Sequence, residues 1–423
     1  MTDLIVAFIL LVFIFVGFSR PNIAIMGYVW IDLVKPQKLA YGFIAGKPLS
    51  MIIAVVCILS LIFNYQKLNK LENKKITTLF FLFAIWITIT TTTSLFPDYA
   101  WVKWDWAFKT VLVAVLIPFT IKTREDLEAL IWVFLASVAF FTISAGVKTA
   151  LSGGGYGARL ISGGDNSGLS ESSTLALVAA ICLPLLVNFI NNSLLMDKTK
   201  LYKLFMLALI CTAVFTVIGS YARTGLIGLF IFSYFMFIKS NRKVAVLFSL
   251  MVAVLLIYNF APDTWFDRMG TVETASEDSS ALGRLVVWKW TIEFATTHFF
   301  GGGFHAYIAN AGLLNLYHDN PKVIFDHTAK AFHSIYFEVL GEHGFVGLTL
   351  YLTILLALYI QLRKLAKDKT DKWKAELAKS LTQALYIFCA CGAFVGVAFQ
   401  PILYILAAFV ISLSNLKTTN EQC

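Results

Sequence analysis

Long apolar runs separated by short polar ones dominate the chain. They fall near residues 3–18, 49–63, 78–95, 108–121, 129–149, 173–190, 203–219, 225–238, 244–260, 344–362, 380–396 and 399–415. Each is long enough, or nearly so, for a helix that crosses a bilayer, which takes about 20 apolar residues. A further run, 21–34, opens at Arg20-Pro21, carries Asp32 and ends at Lys35-Pro36. It is short for a crossing and reads as a re-entrant or interfacial piece. The pattern predicts an all-α polytopic membrane protein of about 12 transmembrane helices, with one large loop carrying short helices. Residues 1–260 would form membrane helices with short loops, 261–332 the large loop, and 333–423 the C-terminal membrane helices. Residues 4–18 have no basic segment before them and no obvious small-residue cleavage site after them. They read as a first span rather than a cleavable signal.

Composition narrows the class. Of 423 residues 58% are hydrophobic and only 14% charged, with 37 Phe and 10 Trp. A soluble domain carries about 45–50% apolar and about 25% charged residues. An ordinary soluble enzyme, a disordered chain and a disulfide-stapled secreted module are therefore excluded. Cys57, Cys182, Cys211, Cys389 and Cys391 lie inside apolar runs and Cys423 is terminal, so the cysteines read as small hydrophobes without a redox role.

The net charge of +9 suits nucleic acid or anionic lipid, and its distribution decides for the membrane. The stretches near 64–77, 122–128, 191–203, 239–243 and 361–379, with the C-terminal tail, hold 20 of the 34 Lys and Arg. The alternate stretches near 96–107, 150–172, 219–224, 261–332 and 396–399 hold only 8. The positive-inside rule makes the first set cytoplasmic. Loops 261–332 and 150–172 and the turn at Arg223 then lie on the outer face. With twelve spans both termini are cytoplasmic; a thirteenth would put the N-terminus outside. The chemistry belongs to that outer face, where no nucleotide donor is at hand. Its substrate must arrive in, or through, the membrane.

Three groups of residues carry candidate chemistry. Arg223 sits in Gly219-Ser-Tyr-Ala-Arg-Thr-Gly225, a very short link between two apolar runs. An arginine at the membrane edge snorkels to headgroups, pairs with a loop carboxylate, or grips a phosphate or pyrophosphate with its planar fork. Arg284 lies in the first turn of an amphipathic helix expected over 282–297. Leu282, Leu285, Val286, Ile292 and Ala295 mark its apolar side, and Trp288 and Trp290 suit the membrane interface. Arg284 serves either an ion pair with Asp278 or Glu277, or an anion. His333 falls where the large loop re-enters the membrane, and a neutral imidazole there can take a proton from a hydroxyl. Glu338 and Glu342 follow one and two turns later and either orient an imidazole or face a wet cavity. His343 reads as deeper and structural. The GGG runs at 153–155 and 301–303 lack the Lys-Ser/Thr of a nucleotide loop and read as close approaches or sharp turns. The large loop's acids slightly outnumber its bases, which argues against a nucleic-acid surface. Its histidines, His298, His305, His318 and His327, show no metal-ligand spacing, so no metal and no cofactor is expected.

Together these pieces resemble the O-antigen ligase and O-antigen polymerase superfamily of bacterial surface-polysaccharide enzymes. The likeness runs from about residue 170 to 362. It is carried by Tyr221-Ala222-Arg223-Thr224-Gly225, by Asp278-Ser279-Ser280-Ala281-Leu282-Gly283-Arg284 with Trp288 and Gly301-Gly302-Gly303-Phe304, and by His333-Ser334 with Gly344 and Gly347. The N-terminal Tyr28-Val29-Trp30 and Lys35-Pro36-Gln37 are similar to a subset described as putative O-glycosylation ligases. Where that subset often has an Asp-Asn-Asn-like cluster, this chain has Asp165-Asn166 and Glu171-Ser172.

The resemblance implies a class C glycosyltransferase-like fold in the bacterial inner membrane with a periplasmic active face. It implies transfer of a glycan from an undecaprenyl pyrophosphate carrier to an acceptor hydroxyl, foremost on lipid A–core. The acceptor of a polymerase would be another glycan, and that of an O-oligosaccharyltransferase a protein hydroxyl. His333 would be the base or the acceptor-positioning group. Arg223 and Arg284 would hold the pyrophosphate, with Glu338, Asp278 and Arg159 as supporting residues. The partners are the lipid-linked donor, the acceptor and membrane lipids, without nucleic acid. A polysaccharide transporter or flippase is the rival of another class. It would place ionisable residues at mid-membrane rather than at one edge.

Overall fold

The computed structural model describes residues 2–153, 168–244, 279–317 and 328–417, with single positions 247, 251, 255, 258, 265 and 266 between. Its architecture is helical. Among the described residues the longer helices are α1 (Thr2–Ser19), α2 (Pro21–Val34), α3 (Leu49–Phe63), α4 (Lys75–Thr92), α5 (Pro97–Thr120), α6 (Arg124–Ser152), α7 (Ser172–Asn192), α8 (Lys200–Gly219), α9 (Arg223–Lys239), α10 (Ser279–Thr297), α11 (Ile335–Lys367), α12 (Lys372–Gly392) and α13 (Pro401–Asn415).

Their limits follow from local chemistry. Proline occupies the first turn of α2, α5 and α13, where its missing N–H costs nothing. Thr123 and Asp126 close a capping box on α6, and the Glu171 carboxylate accepts from the N–H groups of Ser173 and Thr174 at the head of α7. Gly153 ends α6 in the left-handed conformation.

Among the described residues α4, α6, α7, α8 and α11 are long and apolar enough to cross a membrane, and α1, α3 and α13 are shorter apolar helices. α7 runs through the middle, buried from Thr174 to Leu186. The outward faces are apolar too, with Phe8, Phe15, Ile62, Phe63, Phe81, Leu204 and Phe230 exposed. An apolar exterior of this extent calls for lipid. Cys57, Cys182 and Cys391 are buried as expected, while Cys211 lies on an outward face.

The basic stretches gather at one end of the array. There Lys67 Nζ donates to Ser19 O, Asn22 to Asp126, Arg124 to Asn192 O, the Glu72 N–H to Asn415, and Lys239 to Glu376. At the opposite end the Ile44 N–H donates to Asp3, the Leu95 N–H to Gly302 O, and the Trp265 indole to Ile218 O. Among the described residues the basic stretches thus share one end of the array.

Three elements depart from expectation. α2 is not re-entrant: its Arg20 end lies at the basic end and its Lys35 end beside Gly168 at the other. Protein rather than lipid surrounds it, since Ala24 to Val29, Ile31, Leu33 and Val34 are buried, so it need not match a bilayer's length. Residues 97–107 are not a loop but the first half of α5. Two of its charges are paired, Asp105 with Lys109 one turn on at 2.7 Å, and Lys103 within the core. α10 turns Trp290 inward and leaves Leu285 and Ile292 exposed, because Val286, Val287 and Trp290 face a small core with Ala306 and Phe332. Its tryptophans pack on protein, Trp290 buried and Trp288 stacked on Phe337.

α11 breaks at Gly344, whose φ of 64° and ψ of −166° lie in a region that essentially only glycine visits. The GGG turn splices into this break. The Gly302 N–H donates to Gly341 O at 3.0 Å, the Gly303 N–H to Glu342 O at 2.8 Å, and the Phe345 N–H to Phe299 O at 3.1 Å. Gly301 and Gly303 have φ of 87° and 79°, and a Cβ on Gly344 would collide with Phe299 O. Gly344→Ala is therefore expected to destabilise the protein by about 1–3 kcal/mol from backbone strain, with steric cost added. Thermal melting in detergent checks this, and an unchanged melting temperature would refute the splice.

Candidate functional site

The non-basic end of the array gathers the candidate residues. α8 and α9 are joined only by Ser220, Tyr221 and Ala222. Tyr221 takes a positive φ of 53°, and its N–H donates to Ile218 O. Half-buried Arg223 thereby becomes the first residue of α9. α9 lies close against α7 and α12: Gly225 faces Ala176, Gly228 faces Ala180 and Cys391, and the Cys391 thiol donates to Thr224 O at 3.1 Å. One residue on, Gly392 touches Ile335 at the start of α11. Arg223 and His333 thus belong to the same end of the bundle.

His333 stands between two anchored neighbours. Phe332 is buried against Trp290 and Gly341, and its carbonyl accepts from the Trp288 indole at 2.9 Å. Trp288 in turn stacks on Phe337 at 4.9 Å. Ser334 is buried and its carbonyl accepts from the Glu338 N–H at 2.8 Å. Between them His333 takes φ of 47°, a conformation unfavourable for a residue with a Cβ, and stays partly exposed with protein packed around it. Anchoring both sides while straining the middle fixes where the imidazole leaves the chain.

Charges from four elements act on this imidazole: Arg284 of α10, Glu171 at the head of α7, Glu338 of α11 and Lys330 of the preceding segment. Dehydration by the surrounding protein and then the Arg284 cation hold its pKa below the ordinary 6.5, against the two carboxylates. The ring is therefore neutral and able to accept a proton at pH 7.

Beneath it lies a buried ionic cluster. Lys103 Nζ donates to Glu338 Oε1 at 2.8 Å and to Glu342 Oε1 and Oε2 at 2.8 and 2.9 Å. Glu338 Oε2 accepts the Ala398 N–H at 3.1 Å, and Glu342 Oε1 accepts the His305 N–H at 3.0 Å. Glu338 therefore reaches His333 by its field, with its oxygens committed to Lys103 and Ala398. His343 is fully buried, bonded to Thr90 at 2.6 Å and ringed by Phe83, Phe304 and Phe399. His305 is left-handed at φ of 61°, and burial and the Lys103 cation push its pKa down to about 4.

The structure thus brings His333, Arg284 and Glu338 together and places Arg223 at the same end. Arg159 and Asp278 lie outside the described residues, as do His318, His327 and the Asp165-Asn166 pair. Among the described residues no three His, Cys, Asp or Glu are grouped to hold a metal ion. Lys103, Glu171, Lys330 and His305 were not singled out as site residues from the sequence. Only Glu171 carried a local signal, an acid directly before Ser-Ser-Thr at a helix start.

Two families match the chain. An O-antigen ligase family covers residues 208–352, and a family of unknown function, DUF5935, covers residues 1–194. The first holds Arg223, Arg284, His333, Glu338 and Glu342; the second holds Lys103 and Glu171. No curated protein matches the chain.

Proposed function

We propose, for a chain whose segment 208–352 matches an O-antigen ligase family, that it transfers a glycan from a polyprenyl pyrophosphate carrier to an acceptor hydroxyl. The reading places the site on the periplasmic face of the bacterial inner membrane. The sorting of the basic stretches to the other end supports that orientation.

The observation that carries the proposal is an imidazole held in a strained, anchored turn, with the Arg284 cation acting on it. The acceptor O–H attacks the anomeric carbon and His333 takes its proton. The bond from that carbon to the phosphate oxygen breaks as the new glycosidic bond forms, and the pyrophosphate leaves on its lipid. Arg284 and Arg223 offset the charge that develops on the leaving oxygens, each as a bidentate fork. Attack in one step inverts the anomeric centre. Lipid A–core is the foremost acceptor, with a second lipid-linked glycan or a protein hydroxyl as alternatives.

The test uses purified protein in nanodiscs, an undecaprenyl pyrophosphate-linked glycan, and the three acceptors in parallel. Transfer to one of them identifies the reaction and the branch. Movement of the glycan across the bilayer without transfer would discard the enzyme reading in favour of a transporter.

A further inference from the structure

We propose that Lys103 is a positioning residue of this site, through which the N-terminal segment 1–194, of a family of unknown function, completes machinery carried by segment 208–352. The inference rests on the transfer reaction proposed above for its kinetic readout, but not for its spectroscopic one.

The geometry of the cluster carries it. An ammonium has three hydrogens to donate. Lys103 directs them at three carboxylate oxygens on successive turns of α11. Two carboxylates placed so close on a buried helix face repel one another unless a cation lies between them. Lys103 is that cation, and its side chain is only 9% exposed. Phe304 and Phe399 present their ring faces to it at 5.4 and 5.3 Å and exclude water.

Each carboxylate then has an oxygen pinning one loop of the site. Glu342 holds the GGG turn through the His305 N–H. Glu338 holds the link between α12 and α13 through the Ala398 N–H. Gly396 in that link faces both Glu338 and the His333 backbone: a Cβ there would lie 3.5 Å from Glu338 Oε2 and 3.8 Å from His333 N. Lys103 touches none of the proposed reacting groups and acts through Glu338. Among the charges that face His333, those of Arg284, Glu171, Glu338 and Lys330, it sets the position and screening of Glu338 alone.

Two variants of the full-length protein test this. Lys103→Met/Glu342→Gln removes one charge of each sign and leaves Glu338 without its ammonium. Glu338→Gln keeps the shape and removes the anion. His333 is titrated by NMR with ring-labelled histidine, its signal assigned by its loss in His333→Asn. In the double variant, kcat is expected to fall by about tenfold or more with KM little changed. The His333 titration should move, because Glu338 loses the ammonium that sets its charge and its position. In Glu338→Gln it should move down. A purely structural lysine would lower the melting temperature and leave the titration in place. An unmoved titration with full kcat in the folded double variant therefore overturns the proposal. If that variant does not fold, an unmoved titration in Glu338→Gln overturns it instead. Titrations that shift as expected in a protein whose wild type transfers no glycan would sink the proposed reaction and leave the positioning role standing.

Discussion

His333→Asn is expected to abolish glycan transfer while leaving the protein folded. Asparagine is the substitution of choice because the backbone at this position is left-handed, with φ of 47°. Asparagine tolerates that conformation better than most residues with a Cβ. Alanine has no polar side chain to support that conformation locally, and would mix a folding defect with a chemical one. The neighbours keep the turn in place without the imidazole: Phe332 O remains bonded to Trp288, and Ser334 O to the Glu338 N–H. What is lost is the group that takes the acceptor's proton, a contribution of about 10²–10⁴ in rate. The check is a transfer assay beside a thermal melt. A variant that keeps most of its rate would remove His333 from the chemistry. His305→Asn is the matched control, since His305 is also left-handed, and it should retain transfer. Its imidazole, unlike that of His333, packs between Tyr99 and Tyr307.

How far the sequence reaches is clear from particular elements. The apolar runs located most of the long helices, because a lipid-facing or buried helix must be apolar along its length and no other pattern mimics that. The same criterion failed for α2 and for the first half of α5. α2 is too short by a bilayer's measure, but its surroundings are protein. The α5 segment is too charged, but its key charge is satisfied by residues 235 and 239 positions away. No local rule reads a partner at that distance. His333 was legible because it stands at a change from polar to apolar sequence and is followed by glycines at the break in α11. The GGG turn was legible as a turn, yet nothing in the sequence revealed that its N–H groups would meet the carbonyls that the break sets free. From the sequence alone Glu338 reads as a helper of His333; the structure makes it one member of a cluster whose cation lies in the other half of the chain.

Arg284 offers the second large effect, and two substitutions separate its two actions. Arg284→Lys keeps a positive charge and loses the planar fork. Arg284→Gln loses both. If the guanidinium grips the pyrophosphate bidentately, both variants lose transfer by about 10²–10³, the range for removing one preorganised donor to a developing anion. Arg223→Lys should behave like Arg284→Lys, and full activity in it would sink the shared pyrophosphate role. The pH profile then distinguishes the field of Arg284 from its grip. His333 has its pKa lowered from 6.5, first by dehydration and then by this cation. The reactive form is the neutral ring, so the rate should hold above that lowered pKa and fall as the pH drops through it. Removing the cation in Arg284→Gln raises the His333 pKa, so its residual activity should begin to fall at a higher pH than in the wild type. Arg284→Lys retains the cation, and its acid limb should stay closer to that of the wild type. Equal upward displacement in both variants would mean that the ammonium does not reach the imidazole's surroundings. No displacement in either would remove Arg284 from the neighbourhood of the base, and with it the pairing of imidazole and guanidinium on which the proposed transfer depends.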